Sequence, residues 1–438
     1  MNKEKLLLYS PEVSHRLEYI ASYLVLDILG AELVFTSDIH VARTTGFPVL
    51  NYSSFEIPGA VNIIPHGLLG ETVIRPQNTA MTNLNGLPVL FRNRGNNNTG
   101  FDIFASSFYI LSRYEEYLPF KSDNHGRFPF NQSLGYKYSV AEEPLIELWA
   151  IKLKEFIIEK YPGATFTERE FCFIPTIDID VPWSYRNRSF WRNAGGVIRS
   201  FLKADMEDII SRYRVLYNGV RDPYDTFGFI NKIHDEYGYS SVYFFSSGKY
   251  GKYDKCISSD NDEYRLLISE LSKKYKWGIH PSYYSFNNAD LMQKEISGLF
   301  GITGKSPLRS RQHYLRLEFP CTYRLLSENG ILEDYTMGWA ENPGFRAGTC
   351  TPFKFYDIEK EQATSLKIFP FQIMDGSLCD YLQLMPDQAC EYAQRVIKKV
   401  KDVNGTLITL WHNQSFSEKG RWKDWKNVYI KVLKAATK

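Results

Sequence analysis

The stretch FCFIPTIDID, residues 171–180, is a short apolar run that ends in two acids, Asp178 and Asp180. An apolar run of this length, without alternation, reads as a strand buried on both faces, as in a parallel sheet. In parallel α/β architectures chemistry collects at the C-terminal ends of strands, where loops bring side chains together from distant parts of the chain. Side chains two apart on a strand share a face, so both carboxylates are expected in one space. There they repel each other unless a cation or an arginine stands between them, or one is protonated. Capping of a helix by one of the two is the competing structural use.

Downstream of this run the chain alternates. SSVYFFS, WGIHPS, SRQHYLRL, ILEDYTM, LKIFPFQIMD and TLITLWH read as strands. DEYRLLISELSKKY, DLMQKEISGLFGIT and DQACEYAQRVIKKVKDV read as helices. Such alternation predicts a parallel sheet, open or closed into a barrel. Residues 185–224 interrupt the rhythm with a basic, glycine-containing, partly helical excursion, either a wall of the cleft or a solvated insertion. Upstream, residues 1–165 mix strand-like runs (KLLLYS, AELVFT) with helix candidates. FDIFASSFYILSRYEEYLPF sets Phe101, Phe104, Phe108 and Leu111 at helical spacing behind a polar turn, GNNNTG, at 95–100. EEPLIELWAIKLKEFIIEKY reads as an amphipathic helix closing this part. The chain has 438 residues, too many for one ordinary core, so two domains are expected, 1–165 and 166–438.

Polar residues at the ends of the other runs extend the acidic pair. His280 follows an apolar run in WGIHPSYYS, and Pro281 keeps the chain from turning into a helix there. Arg311 and His313 stand two apart in SRQHYLRL, and on that expected strand they share a face. His412 closes TLITLWHN. Of eight histidines, three stand at the ends of three separate strands of one alternating region. Zinc, and also cobalt, nickel or iron, accept carboxylate with imidazoles, and catalytic sites keep a position open for water. Asp180, His280 and His313 form a candidate ligand triad, with Asp178 as base, Arg311 as its charge partner and His412 as acid.

Bulk properties bound these readings. Hydrophobic residues make up 44% and charged residues 23%, a globular balance. The net charge of +2 gives no field that implies nucleic-acid binding. The start, MNKEKLLLYS, has an apolar run too short for a signal-peptide core, and no run approaches a membrane span, so the expected compartment is the cytoplasm. Six scattered cysteines without CxxC spacing fit reduced thiols. The 30 tyrosines and 29 phenylalanines build cores and can also stack on sugar rings.

Taken in order, TIDID, GIHPSYYS, SRQHYLRLEFP, DYTMGWAENPGFRAGT and LITLWHN resemble the polysaccharide deacetylase superfamily, the NodB-homology domain, over residues 171–438. The resemblance is to a bacterial branch with an N-terminal domain of unknown function, which residues 1–165 resemble through YILSRYEEYLPF and DNHGRFPF. It implies an α/β fold, a deformed (β/α)7 barrel preceded by a smaller α/β or α+β domain. It also implies a divalent transition metal, zinc above all, and removal of an N-acetyl group from an acetamido-sugar glycan or precursor. Asp178 is then base, Asp180 and His280 metal ligands, His412 acid, and Arg311 the arginine that orients the base. The family places a second metal-binding histidine four residues after the first, where this chain has Tyr284. His313 is the expected replacement; otherwise metal binding is weak, or the barrel only binds glycans.

Substrate contacts are expected from Asp334, Arg346, Tyr284, Ser282 and Trp411. Arg346 has two readings, a partner for Asp334 or an anionic substrate group, and an internal salt bridge. Asp375, ending FQIMD, either lines the cleft or caps a helix. A DxD glycosyltransferase explains the two aspartates but leaves the histidines without work. A glycoside hydrolase needs acids roughly 5–9.5 Å apart, usually on different strands.

Overall fold

The computed structural model describes residues 4–93 and 99–437. The polar turn expected at 95–100 lies, apart from Thr99 and Gly100, outside the described residues. The chain is a mixed α/β protein built on two parallel-rich sheets. The first holds β1 (Lys5–Tyr9), β2 (Glu32–Thr36), β3 (Val49–Tyr52) and β4 (Val61–Ile63) in the order β2-β1-β3-β4, all parallel. A small hairpin of β5 (Thr82–Leu84) and β6 (Leu87–Val89) follows. The helices Ile103–Leu111 and Leu145–Lys160 pack this part. Every residue of Ile103–Leu111 is buried, because its apolar residues go all round rather than along one stripe.

The second sheet has nine strands: β7 (Cys172–Ile179), β8 (Val242–Ser246), β9 (Lys276–His280), β10 (Arg309–Ser310), β11 (Glu333–Asp334), β12 (Phe353–Asp357), β13 (Gln362–Ile368), β14 (Ile373–Met374) and β15 (Thr406–His412). Their order is β12-β13-β11-β10-β9-β8-β7-β15-β14, parallel throughout except for the β12–β13 pair. β7 sits between β8 and β15, and its buried Phe173, Ile177 and Ile179 show why that run carries no polar alternation. Only residues 369–372 separate β13, which pairs with β11, from β14, which pairs with β15. One bent segment thus touches both ends of the row β11-β10-β9-β8-β7-β15.

Two expected strands are cut short. In SRQHYLRL the ladder stops at Ser310, and His313–Leu315 forms a 3-10 turn in which Tyr314 has φ 60°. ILEDYTM keeps only Glu333–Asp334 in the ladder. The excursion 185–224 is a helical hairpin, Phe190–Leu202 and Met206–Tyr217. The six cysteines are all free. No helix among the described residues is long and apolar enough to cross a membrane.

The two sheets share one continuous core. Buried polar contacts also join them. Arg346 makes a two-pronged pair with Glu116 at 2.7 and 3.1 Å, and Glu116 also accepts from Arg113 at 2.7 Å. Arg16 pairs with Glu361, and Glu147 accepts from the amides of Cys350 and Thr351 at 3.1 Å.

Candidate active site

Parallel pairing sets the site's register. Asp178 on β7 lies opposite His412 on β15 and opposite Phe244 on β8, while Ser246 at the end of β8 lies opposite His280. Asp178, Asp180, His280 and His412 therefore arrive at one rim, and both aspartates approach the same imidazole. His280 Nε2 is 3.1 Å from Asp180 Oδ1 and 3.9 Å from Asp178 Oδ2.

Each of three imidazoles is pinned through its other nitrogen. His280 Nδ1 lies 2.6 Å from the Arg311 carbonyl oxygen, which can only accept, so Nδ1 carries the proton and Nε2 is left with a lone pair. His313 Nδ1 is held by Asp254 at 2.8 Å, and His412 Nδ1 by Asp375 at 2.8 Å. The three Nε2 atoms converge on Asp180, His313 at 3.7 Å and His412 at 3.6 Å from its Oδ2.

The His280 Nε2 lone pair thus faces a carboxylate oxygen, and both atoms are buried without a hydrogen-bond partner. Two acceptors so placed cost free energy unless a cation lies between them. The ligand atoms of Asp180, His280 and His313 lie within 4.8 Å of one another, and the set of one carboxylate and two imidazoles suits a divalent transition metal. The residues present fit such an ion.

The charges around Asp180 follow the same geometry. Burial alone would raise its carboxyl, but His313 and His412 outweigh burial and hold it well below the usual carboxylate range. Burial opposes charge on His313, yet Asp180 and Asp254 lift it to about 9. His412 is likewise lifted to about 10 against burial, by Asp375, then Asp180 and Asp178.

Arg311 has no exposed surface. It donates to Asp178 Oδ1 at 2.8 Å, to Thr176 Oγ1 at 2.6 Å and to the Tyr335 carbonyl at 3.0 Å, and its plane lies over Phe244. This fixes the Asp178 carboxylate in one orientation. Gly278 makes the approach of β9 and β10 possible, since a Cβ there would sit 2.5 Å from the Arg309 carbonyl oxygen.

The cleft above these groups has a volume of about 300 Å³. Tyr253, Tyr314, Tyr381 and Trp422 line it, with Arg127, Lys255 and Arg421. Arg127 comes from the loop between the helices Ile103–Leu111 and Leu145–Lys160; it is held by Asp123 at 2.7 Å and donates to the Tyr314 carbonyl at 3.0 Å.

None of the five residues expected along the substrate is among those that line the cleft. Asp334 is buried and accepts from Ser310 at 2.7 Å and from Thr336 at 2.8 Å. Arg346 is the internal salt bridge, to Glu116 rather than Asp334. Ser282 is buried and hydrogen-bonded to Glu295 at 2.5 Å. Trp411 is wholly buried against Tyr429, because on β15 it faces away from its neighbour His412. Tyr284 is half exposed, among Tyr253 and Tyr283, outside the cleft lining. His313 occupies the place beside Asp180 and His280. The same-face argument for Arg311 and His313 fails, since the strand ends before them; the turn at Tyr314 brings His313 in instead.

Sequence reasoning missed Asp254, Tyr253 and Arg127. Asp254 and Tyr253 lie on a loop without periodicity, and Arg127 in DNHGRFPF carried only a resemblance. Asp375 was weighed as cleft lining or helix cap and is neither: besides His412 Nδ1 it accepts from the amides of His412 at 2.8 Å and Gly376 at 2.6 Å.

Residues 6–162 match a family model described only as a family of unknown function (DUF7033). No curated protein matches the chain in sequence. Among solved structures, a candidate polysaccharide deacetylase from Mycobacterium smegmatis is similar at 15% identity and a TM-score of 0.39, covering 62% of this chain and 86% of its own. The catalytic domain of a peptidoglycan N-acetylglucosamine deacetylase from Eubacterium rectale is similar at 12% identity and 0.30, covering 63% and 89%. A CE4 family pseudoenzyme from Bacillus anthracis is similar at 9% identity and 0.30, covering 60% of each chain. At such identities and scores the residues of the site have to carry any functional reading.

Proposed function

We propose that this cleft is the active site of a metal-dependent N-deacetylase acting on an acetamido sugar, set in a deformed (β/α)7 barrel whose seventh stave is the bent segment 362–374. We further propose that residues 1–165 form a smaller α/β domain packed on that barrel. One observation carries the functional reading: three imidazoles, each tethered through Nδ1, turn Nε2 toward Asp180, and the His280 lone pair meets a carboxylate oxygen at 3.1 Å.

Asp180, His280 and His313 hold the ion in this reading. A divalent transition metal, zinc above all, with cobalt, nickel or iron as alternatives, supplies a Lewis acid for the amide carbonyl and an acidified water. Asp178 accepts the proton of the attacking water, and Arg311 keeps that carboxylate aimed into the cleft. His412 gives a proton to the departing amine nitrogen as the C–N bond breaks, and Asp375 fixes the ring that does so. Acetate and a free amino sugar leave. The tyrosines and Trp422 offer flat faces to a pyranose ring, in a space suited to one or two sugar units.

Acetate release from N-acetylglucosamine oligomers by zinc- or cobalt-loaded protein is the test, with metal content measured on the same sample. Turnover that disappears in Asp178→Asn and His280→Ala supports the reading. A protein that binds the sugars but takes up no metal makes this a glycan-binding barrel instead.

A further inference from the structure

The helical hairpin that follows Asp180 is built inside out. Phe190, Trp191, Ile198, Phe201 and Leu202 are all exposed on its first helix, Trp191 by 81% and Leu202 by 80%. Met206, Ile210, Tyr213 and Tyr217 stand exposed at helical spacing on the second. Meanwhile the contact between the two helices is largely polar. Across the pair, Arg212 reaches Asn193 at 2.8 Å and Ser200 reaches Asp208 at 2.7 Å, and Arg212 is steadied by Asp208 of its own helix at 3.1 Å. Gly196 leaves room for that guanidinium, since a Cβ there would stand 2.6 Å from it. A hairpin meant for water places its apolar stripe inward and its polar groups outward.

Charge decides what could cover this face. Arg199, Lys203 and Arg214 are exposed beside the apolar residues, against the exposed acids Asp205 and Glu207. A second copy of the chain meeting the same patch brings the same three cations with only two acids to answer them, since an isologous contact repeats one surface. Anionic lipid headgroups meet them with the opposite sign. Exposed aromatics, aliphatic side chains and flanking Arg and Lys are the composition of helices that lie in a bilayer interface.

We propose that this hairpin docks the protein on an anionic lipid bilayer. The hairpin is fastened to the rim of the cleft. Arg192 lies over the Tyr250 ring at 3.8 Å and donates to the carbonyl of Lys255, a cleft residue, at 3.3 Å. Docking therefore brings the cleft close to the lipid surface. On the deacetylase reading above, the substrate class is an acetamido sugar attached to a lipid.

Sedimentation of the full chain with vesicles tests the docking without any turnover. The chain is expected to pellet with vesicles of phosphatidylcholine and phosphatidylglycerol, to pellet less with phosphatidylcholine alone, and to be released by salt. Replacing Trp191, Phe201 and Leu202 by Ser together abolishes binding. Replacing Arg199, Lys203 and Arg214 by Gln weakens binding to the anionic vesicles by about 100-fold. Unchanged unfolding midpoints show that both variants fold. A chain that stays in solution with both vesicle types overturns the proposal. So does a dimer, seen by light scattering, that the triple Ser variant splits into monomers, because a second copy then covers the patch. Acetate release from soluble oligomers by the same variants reports separately on the deacetylase reading.

Discussion

Asp375 holds His412 twice: its Oδ1 lies 2.8 Å from the ring Nδ1, and its Oδ2 accepts the backbone amide of the same residue at 2.8 Å. Ring and backbone are thereby fixed to one carboxylate that has no exposed surface. Asp375→Asn removes the charge that favours the imidazolium, and turnover is expected to fall by about 10²–10⁴-fold. Because the two residues act as a unit, the Asp375→Asn/His412→Ala double variant should be no slower than His412→Ala. Additive losses in acetate-release rates would separate the two residues.

His313 stands by Asp180 and His280, whereas Tyr284 is half exposed and outside the cleft lining. Metal analysis of purified variants is expected to show no bound ion in Asp180→Ala and His313→Ala, and a full complement in Tyr284→Phe. Excess metal should raise the unfolding free energy of the wild type by about 2.7 kcal/mol at a hundred times Kd, and leave His313→Ala where it was. If Tyr284→Phe loses the ion while His313→Ala keeps it, the ligand assignment is wrong.

Gly278 lets two strands meet with 2.5 Å between a would-be Cβ and the Arg309 carbonyl oxygen. That neighbour is backbone and cannot swing away. Gly278→Ala is expected to cost about 1–3 kcal/mol in urea unfolding and to loosen metal binding, since Arg311 and His313 follow directly. A variant as stable as the wild type would mean that the sheet tolerates a wider spacing here.

His234 stands outside the cleft lining, buried between Tyr429 at 2.5 Å and Ser241. Burial lowers its imidazole from 6.5 to about 4. The unfolded chain then binds a proton that the native state refuses, so stability is whole above pH 6.5 and drains as pH falls toward 4. The loss is about 3 kcal/mol. His234→Gln should flatten that part of the stability-against-pH curve, measured by denaturant unfolding at fixed pH values.

Which parts were legible in the sequence follows from locality. An apolar run that ends in a polar residue is a local signal, and β7, β9 and β15 carried Asp178, His280 and His412 to one rim because parallel pairing aligns such ends. Asp254 gave no such signal, because what makes it matter is an imidazole 59 positions away. The residues expected along the substrate lie outside the cleft lining for the opposite reason. Asp334 and Arg346 are polar residues beside apolar runs too, but burial and a nearby partner use them up. The inside-out hairpin read as basic, glycine-containing and partly helical, but not as inverted, since the polar contact between its helices belongs to their pairing.

The buried pair of Arg346 and Glu116 bears on how this protein can be cut. A fragment beginning at residue 166 would retain all nine strands of the larger sheet, yet it would leave Arg346 without its carboxylate and Glu361 without Arg16. Stripping a partner from a buried ion pair costs about 3–5 kcal/mol, on the scale of a whole domain's stability. Such a fragment is expected in inclusion bodies, and the two parts to be inherited, expressed and lost together.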